Sequence, residues 1–478
     1  MIHEILHHLS DWGRYDTWIV VTGALAAMAC ALPGNYLVLR RQSMMGDALS
    51  HTVLLGLVGA FLLMHALRAN EWISPATYAA TRHTAMFSGA VLAGVLTALL
   101  TEGVRKLGRI ESTASLGVVF TTLFALGLLL IRWKADSVDI DPGCVLYGTI
   151  EMVVMRTIEG TTIPRAAVVN GAVFAAGLVL VVLFYKELRI SAFDPELATT
   201  LGINSQLMHY ALMAATSVVL IAAFESVGSI LVIAMLIVPA ATASLLTERL
   251  SVMIVLSLII AAASTLLGHA FAITLPPVLF GRLGFPDVHD ASTAGMMGAA
   301  AGLLFVLAVL FGPRQGLVIK AADQARLSMK IVAEDILGTL FRLEEAQRIE
   351  TAPRSPREFA GALDRGPVRT WLALRQLLYS GRLVADAAGY RLTDAGRQAA
   401  GDLIRSHRLW ETYMAKYFAV PESGLHAAAE RVEHFIDSPL REKLADELDR
   451  PETDPQGKTI PSPQSAGEAV GQTGAEPR

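Results

Sequence analysis

Residues 35–51 read NYLVLRRQSMMGDALSH and separate two apolar runs, each long enough to cross a bilayer. The runs cover residues 17–39 and 46–67. Two arginines, Arg40 and Arg41, lie between them, and the second run begins with Asp47 and His51. The stretch therefore predicts two membrane helices joined by a cationic turn, with an acid and an imidazole inside the second helix.

Seven further apolar windows of membrane length follow along the chain. They cover 84–104, 113–132, 167–185, 207–224, 227–246, 250–270 and 291–312. Composition agrees, because 53% of the 478 residues are hydrophobic and 17% are charged, against about 25% charged in an ordinary soluble domain. The sequence predicts an all-α polytopic membrane protein with about nine transmembrane helices, and it excludes a wholly soluble chain.

Charge is concentrated in the last third of the chain. Of the 121 residues in 330–450, 37 are charged, so we expect a membrane domain at 1–320 and a soluble portion after it. The soluble portion divides into a winged-helix domain with its connecting helix at 321–398 and a helical domain at 399–461. Residues 462–478 are rich in Pro, Gly, Gln and Ser, which predicts a disordered tail.

Lysine and arginine in the short loops set the orientation. Each basic short loop follows an odd-numbered span, including the loop with Arg40 and Arg41. The positive-inside rule then places the N-terminus outside and the charged C-terminal portion in the cytoplasm, in a multi-pass plasma (inner) membrane protein. The long loop 133–166 departs from the rule, because it is assigned outside although basic residues lie at or near its ends.

Asp47 and His51 are four residues apart, so a helix places both side chains on one face. A carboxylate and an imidazole suit manganese, zinc or ferrous iron better than magnesium or calcium, which prefer oxygen ligands only. An intrahelical acid–histidine pair that neutralises itself inside the bundle is the alternative interpretation.

Two helical patterns at 355–363 and 367–380 precede two short strand patterns within 381–393, which predicts a helix–turn–helix with a wing. Between Arg354 and Arg397 there are eight arginines and four acids. Arg369 and Arg375, on the second helix, are candidates for DNA binding. Solvated helix faces have the same composition, so both interpretations stay open.

A second group of potential metal ligands follows at helical spacing. His407 and Glu411 are four residues apart, and His426, Glu430 and His434 repeat at the same interval with Glu433 beside them. This spacing predicts His426, Glu430 and His434 on one helix face, and two facing helices could enclose one or two divalent ions. Surface helices rich in salt bridges are the alternative.

The sequence contains no G-x-x-x-x-G-K-[ST] phosphate loop. ATP hydrolysis must therefore come from another chain. Because no arrangement typical of nucleophilic or acid–base catalysis is present either, we do not expect an enzyme.

Residues 35–51, 227–243 and 310–314 resemble the signatures of the metal-ion ABC transporter permeases of the zinc, manganese and iron uptake type, over about residues 15–320. The resemblance implies a homodimeric or heterodimeric channel, a separate ABC ATPase subunit and an extracytoplasmic metal-binding receptor. It also implies that Asp47 and His51 line the cation path near the outer gate.

The loop after span five resembles the coupling helix with which that family docks onto its ATPase. It reads FDPELATTLGI over 193–203, a short helix with an acid and a proline at its start and a glycine after its end. The resemblance assigns coupling to Asp194, Glu196, Ala198 and Gly202. An ordinary capped surface helix would have the same sequence features.

From about residue 329 to 461 the chain resembles the diphtheria-toxin-repressor-like regulators, which bind metal and dimerise through their helical domain. By position, the resemblance implies the ligands Asp335, His407, Glu411, His426, Glu430, Glu433 and His434. Asp335 and Glu430 stand where the manganese-type members carry acids. Gly338, however, replaces a further acid of that type, so a second metal position is in question.

Together these features predict a permease subunit of an ATP-driven importer for a divalent transition metal, manganese first and zinc or iron as alternatives. The fused domain is expected to sense cytosolic metal. A membrane-tethered, metal-dependent transcription regulator is the rival prediction. Asp47, His51 and the coupling segment favour the importer, because a mere anchor needs none of them.

Overall fold

A computed structural model describes residues 12–134, 150–158, 160–282, 290–313, 315–347, 352–353, 355–386, 389–418 and 421–462. The chain divides into two compact units, Met1–Ile319 and Lys320–Arg478. The predicted tail lies outside the described residues except for Ser462, and so does most of the middle of the loop 133–166.

The first unit consists of helices. They are α1 (Arg14–Leu39), α2 (Met44–Ala69), α3 (Pro75–Gly108), α4 (Ser112–Lys134), α5 (Arg165–Leu183), α6 (Tyr185–Phe193), α7 (Pro195–Thr200), α8 (Ser205–Val227), α9 (Ser229–Leu246), α10 (Leu250–Arg282) and α11 (Thr293–Phe311). A short 3₁₀ helix, Ile150–Met155, precedes α5. Within the described ranges, nine helices are long and apolar enough to span a membrane, which confirms the predicted number of spans.

Helix α1 lies at the centre of this unit and packs against α5, α8, α9 and α10. Small residues permit the close approach: a Cβ on Gly34 would lie 1.8 Å from the backbone oxygen of Leu236 in α9. Asn35 of α1 also donates a hydrogen bond to Ser257 Oγ of α10 at 2.8 Å. The first residues of the 35–51 stretch, Asn35, Tyr36 and Leu37, are therefore buried among the central helices.

The second unit begins with most of α12 (Leu317–Glu345). It continues with α13 (Pro356–Ala362), α14 (Pro367–Tyr379), β1 (Leu383–Asp386), β2 (Gly389–Leu392), α15 (Asp394–Tyr417), α16 (Glu422–Val432), a 3₁₀ turn (Glu433–Phe435) and α17 (Ser438–Glu447). The two strands pair antiparallel, Leu383 opposite Leu392. The predicted helix–turn–helix with a two-stranded wing is thus present.

The core of the winged-helix part joins α12 to α13, α14 and the wing. Ile336, Leu340, Phe359, Leu374 and Leu383 are buried together there. One face of α12 packs into this core. The packing therefore also fixes the positions of the acidic residues Glu334 and Asp335 on the same helix.

One sequence prediction about this unit is wrong. Helix α16 ends at Val432, and Glu433–Phe435 form a separate 3₁₀ turn. His434 therefore does not continue the face of His426 and Glu430. The helical period fails here because the tighter turn rotates the last histidine away from the row.

Candidate metal sites and coupling segment

Asp47 and His51 lie in the first two turns of α2. His51 Nε2 is 3.5 Å from Asp47 Oδ1, and the two side chains are 40% and 38% exposed. The His51 ring lies beside Phe120 and Phe124 of α4, with ring centroids 6.0 and 5.2 Å away. The pair is thus accessible and offers one nitrogen and one oxygen ligand. Over the described part of the chain, no third ligand joins them in a metal-binding group.

Arg40, in the turn between α1 and α2, connects this region to distant segments. Its Nη2 donates to the backbone oxygen and Oγ of Ser191 in α6 at 3.1 and 3.0 Å. Its Nη1 lies 3.1 Å from His209 Nδ1 in α8. From the sequence, Arg40 indicates only the orientation of the spans, because no sequence pattern reveals hydrogen bonds across more than 150 residues.

These contacts also show at which end of the membrane unit the Asp47–His51 pair lies. Ser191 is in α6, directly before α7, so the start of α2 is at the same end of the unit as α7. The resemblance implies that α7 faces a cytoplasmic ATPase and that the pair lies near the outer gate. Both placements cannot hold, and the geometry favours a position in the half of α2 nearer α7.

Helix α7 has the predicted form of a short capped helix. Asp194 Oδ1 accepts hydrogen bonds from the amides of Glu196 and Leu197 at 3.1 and 2.9 Å. Gly202 follows the helix with φ +80°, which only glycine adopts without strain. Ala198 is buried, while Leu197 and Leu201 are exposed. The segment therefore presents leucines at the surface on a rigid, capped turn.

The first triad of the second unit consists of His407 and Glu411 of α15 and His426 of α16. His407 Nε2 is 3.1 Å from Glu411 Oε1 and 2.9 Å from His426 Nδ1. His426 Nδ1 is also 3.1 Å from Glu411 Oε1. Three ligand atoms thus converge within 4.8 Å of one another. Two imidazole nitrogens and one carboxylate oxygen fit a first-row transition metal.

The second triad consists of Asp335 of α12 with Glu433 and His434 of the 3₁₀ turn. His434 Nε2 is 3.2 Å from Asp335 Oδ1 and 3.8 Å from Glu433 Oε1. Glu433 is buried, and its other oxygen contacts His407 Nδ1 of the first triad. The two triads are therefore adjacent and share Glu433 as their link. Two carboxylates make the second triad the harder of the two, which suits manganese.

Protonation in the triads follows from these contacts. Burial alone would lower the pKa of His407, but its hydrogen bonds to Glu411 and Glu433 outweigh burial and raise that pKa. The same balance raises the pKa of His434 to about 9, through Asp335 and Glu334. Burial would raise the pKa of Glu411, whereas contact with His407 and His426 lowers it. Protonated histidines thus hold the carboxylates in place in the metal-free fold.

The ligand set of the two triads differs from the set expected from the sequence. Glu430 is exposed and belongs to neither triad. Gly338 is buried in α12, and a Cβ there would lie 3.3 Å from Leu403 Cδ2. Sequence reasoning also missed Glu334, whose Oε2 lies 2.8 Å from His434 Nδ1. The position of Glu334 next to Asp335 is the only signal for it, because a metal-binding histidine commonly donates its second ring nitrogen to a carboxylate.

The DNA-binding candidates Arg369 and Arg375 both lie on α14 and have partners within the second unit. Arg369 Nη1 donates to Ser328 Oγ at 3.4 Å. The Arg375 guanidinium lies 4.7 Å from the centroid of the Trp371 ring. These contacts hold the two side chains against the unit's own residues rather than leaving them extended.

A unit of membrane-length helices with a potential metal-binding pair, joined to a second unit with two histidine–carboxylate triads, is typical of a membrane transport protein with a metal-binding domain. The family model of the ABC 3 transport family matches residues 15–278, and the chain belongs to that family. The model of the iron dependent repressor, metal binding and dimerisation domain matches residues 393–462. The chain is a metal ABC transporter permease with a C-terminal domain of the iron-dependent repressor type, as both resemblances predicted.

Characterised relatives carry names of the same kind. The chain is 39% identical over 309 residues to the manganese transport system membrane protein MntD of Bacillus subtilis, covering 64% of this chain and 95% of that protein. It is 34% identical over 385 residues to the zinc transport system membrane protein TroD of Treponema pallidum, covering 77% and 97%. A probable metal transport system membrane protein of Chlamydia trachomatis is 25% identical over 448 residues, covering 92% and 94%, and thus aligns with both units.

The raised pKa of His434 predicts that metal binding releases a proton. The pKa of about 9 in the fold exceeds the ordinary value of 6.5, so the histidine is protonated at pH 7 without metal. Its contribution to the stability of the metal-free fold is complete below pH 6.5 and is lost as the pH rises through 9. Because a ligating histidine must be neutral, Mn²⁺ affinity should rise up to about tenfold per pH unit between pH 7 and 9.

Titration calorimetry at pH 7 in two buffers of different ionisation enthalpy measures this release directly. The full chain with Asp47→Ala and His51→Ala confines the signal to the two triads of the second unit. Adding His434→Gln should reduce the released protons by about one, whereas Glu430→Gln should not. Equal proton release with and without His434 would contradict the assignment.

Proposed function

We propose that this chain is the permease subunit of an ATP-driven importer that carries a divalent transition metal inward past Asp47 and His51. Manganese is the first candidate cargo, with zinc and iron as alternatives. The observation that carries the proposal is the paired carboxylate and imidazole at the start of α2, directly after a turn that Arg40 bonds to the segment before α7. The names of the manganese and zinc transport relatives support it.

The pair supplies two ligand atoms, too few to replace the hydration shell of a divalent ion. A second permease subunit, either another copy of this chain or a related one, would supply the remaining ligands from its own α2. Two nitrogens and two oxygens would then surround the ion, enough to bind it and few enough to release it. An extracytoplasmic receptor would deliver the ion, since the described part of this chain contains no such domain.

Energy would come from a separate ABC ATPase subunit that docks on α7. The exposed Leu197 and Leu201 provide apolar contact, and the capping by Asp194 keeps the turn rigid. Arg40 would then relay motion of the α6–α7 segment to the α1–α2 turn and so to Asp47 and His51. A half-buried, multiply bonded guanidinium suits this role, because its fixed fork holds two partners at once.

We further propose that the C-terminal domain binds cytosolic metal at the two triads and throttles transport. The ligands come from α12, α15, α16 and the 3₁₀ turn, so a bound ion would hold these elements together more firmly than protons do. Asp335 and Glu433 favour manganese at the second triad. The rival role, metal-dependent transcription regulation, is supported by the winged-helix architecture and would use Arg369 and Arg375.

Replacing both Asp47 and His51 by alanine should lower uptake of radioactive manganese by at least about tenfold, because the path loses its ligands. Uptake is measured in vesicles that contain the complete transporter. His65→Ala is the matched control, since His65 is on the same helix and its ring stacks on Phe61. Undiminished uptake of manganese, zinc and iron by the double variant would refute the proposed path.

Arg40→Ala should uncouple the transporter. The variant should lower metal-stimulated ATP hydrolysis by the assembled complex by about tenfold, while the membrane site still binds metal. Arg41→Ala is the control, because the neighbouring Arg41 side chain is exposed. If the alanine variant at position 40 hydrolyses ATP and transports metal like the control, the relay is wrong.

Glu433→Ala with His434→Ala should abolish inhibition of uptake by manganese sealed inside the vesicles and leave uptake without internal metal unchanged. Glu430→Ala should retain the inhibition, because Glu430 lies outside both triads. Footprinting of DNA with and without manganese tests the rival role. Metal-dependent protection that is lost in Arg369→Ala and Arg375→Ala variants would favour the regulator instead.

A further inference from the structure

Helix α14 presents an apolar stripe at the surface of the cytoplasmic unit. The stripe consists of Val368, Trp371, Leu372 and Tyr379, with Arg375 between them. Their spacing places them on one helix face. Val368 is 69% and Tyr379 97% exposed, while Thr370, Ala373, Leu374 and Leu377 on the opposite face are buried. The stripe is therefore a coherent apolar surface that no described part of the protein covers.

The stripe is poorly suited to reading DNA bases. In helix–turn–helix proteins the first turns of the second helix contact base edges, and this requires hydrogen-bonding side chains. Here those turns expose Val368, Trp371 and Leu372. Arg369, in the first turn, is bonded to Ser328, and Arg375 is stacked on Trp371. Four exposed apolar or aromatic side chains on one face of a helix indicate a surface that something other than water covers.

Its chemistry matches the interface of an anionic bilayer. Helix α14 carries two arginines and no acid, and Arg382, just after it, is exposed. Tryptophan and tyrosine favour the headgroup level, where the ring is buried and the polar tip remains wet. Arginines beside an apolar face bind the phosphates of anionic lipids. The charge of the stripe is thus complementary to the cytoplasmic leaflet.

The chain itself keeps this surface close to a membrane. Arg369 at the start of α14 is bonded to Ser328, and Ser328 is only 17 residues after Phe311, the end of the ninth span. Because such a short connection raises the effective concentration of the stripe at the bilayer, even a weak interaction suffices for docking.

We propose that the α14 stripe docks on the cytoplasmic leaflet by inserting Trp371, Leu372 and Tyr379 at headgroup level, with Arg375 on lipid phosphate. The surface used by related folds for DNA thus holds this domain against the membrane. This interaction goes beyond transport and metal sensing and does not depend on either.

The test uses the full chain in lipid nanodiscs. Tyr379→Cys in a chain with Cys30→Ala and Cys144→Ala is labelled with an environment-sensitive fluorophore, and Lys443→Cys, exposed on α17, is the control site. Discs contain phosphatidylcholine alone or with about 30% phosphatidylglycerol. In anionic discs, emission at position 379 should shift to the blue, and doxyl-labelled lipid should quench it about twofold more than at position 443.

A double variant of the stripe tests whether its apolar side chains carry the interaction. Trp371→Glu with Leu372→Glu should abolish both the blue shift and the quenching, and both glutamates lie at surface positions where they do not disturb the core. Equal emission in both kinds of disc without doxyl quenching would overturn the proposal. So would a blue shift that appears in detergent only at high protein concentration, which indicates a second copy, or one that requires added duplex DNA.

Discussion

The hydrogen bonds of Arg40 are the constraint on which the rest of the membrane unit depends. One guanidinium holds α6 and the start of α8 against the turn that leads to Asp47 and His51. Arg40 lies between membrane-length segments, and burial lowers the pKa of its guanidinium below the usual value. A permanent charge at this depth is costly unless several acceptors surround it. Its retention is therefore best explained by the mechanical connection that it makes.

In the second unit, protons on histidine side chains occupy the positions that a metal ion would take. His407 and His434 have raised pKa values because carboxylates approach them closely, and the contact between Glu433 and His407 joins the two triads. Protons and metal ions compete for the same nitrogen and oxygen atoms. The metal-free fold is consequently already near the geometry that metal needs, and the difference between the two states is largely one of charge.

Periodicity and composition predicted most of the fold. Nine spans, the capped helix α7 and the winged helix follow from local patterns, namely apolar length, an acid–proline start and paired short strands. The end of α16 at Val432 could not be predicted, because Glu-Arg-Val-Glu-His is compatible with a continuing helix. Arg40 and Glu334 were missed as functional residues for a related reason. Their roles depend on partners far away in the chain, and one sequence contains no information about such pairs.

The numbers of ligands in the two regions favour a division of labour within one chain. The membrane pair offers two ligand atoms and is more than a third exposed, which favours weak binding and ready release of an ion by one subunit. Each triad of the second unit offers three ligand atoms, mostly from buried side chains, which favours longer retention of an ion. A sensor must bind its ion more tightly than the path that delivers it, since otherwise it would respond only after the cell was saturated. In the proposed function, fusion of the two units would give each permease its own sensor, so that feedback would not depend on the diffusion of a separate regulator.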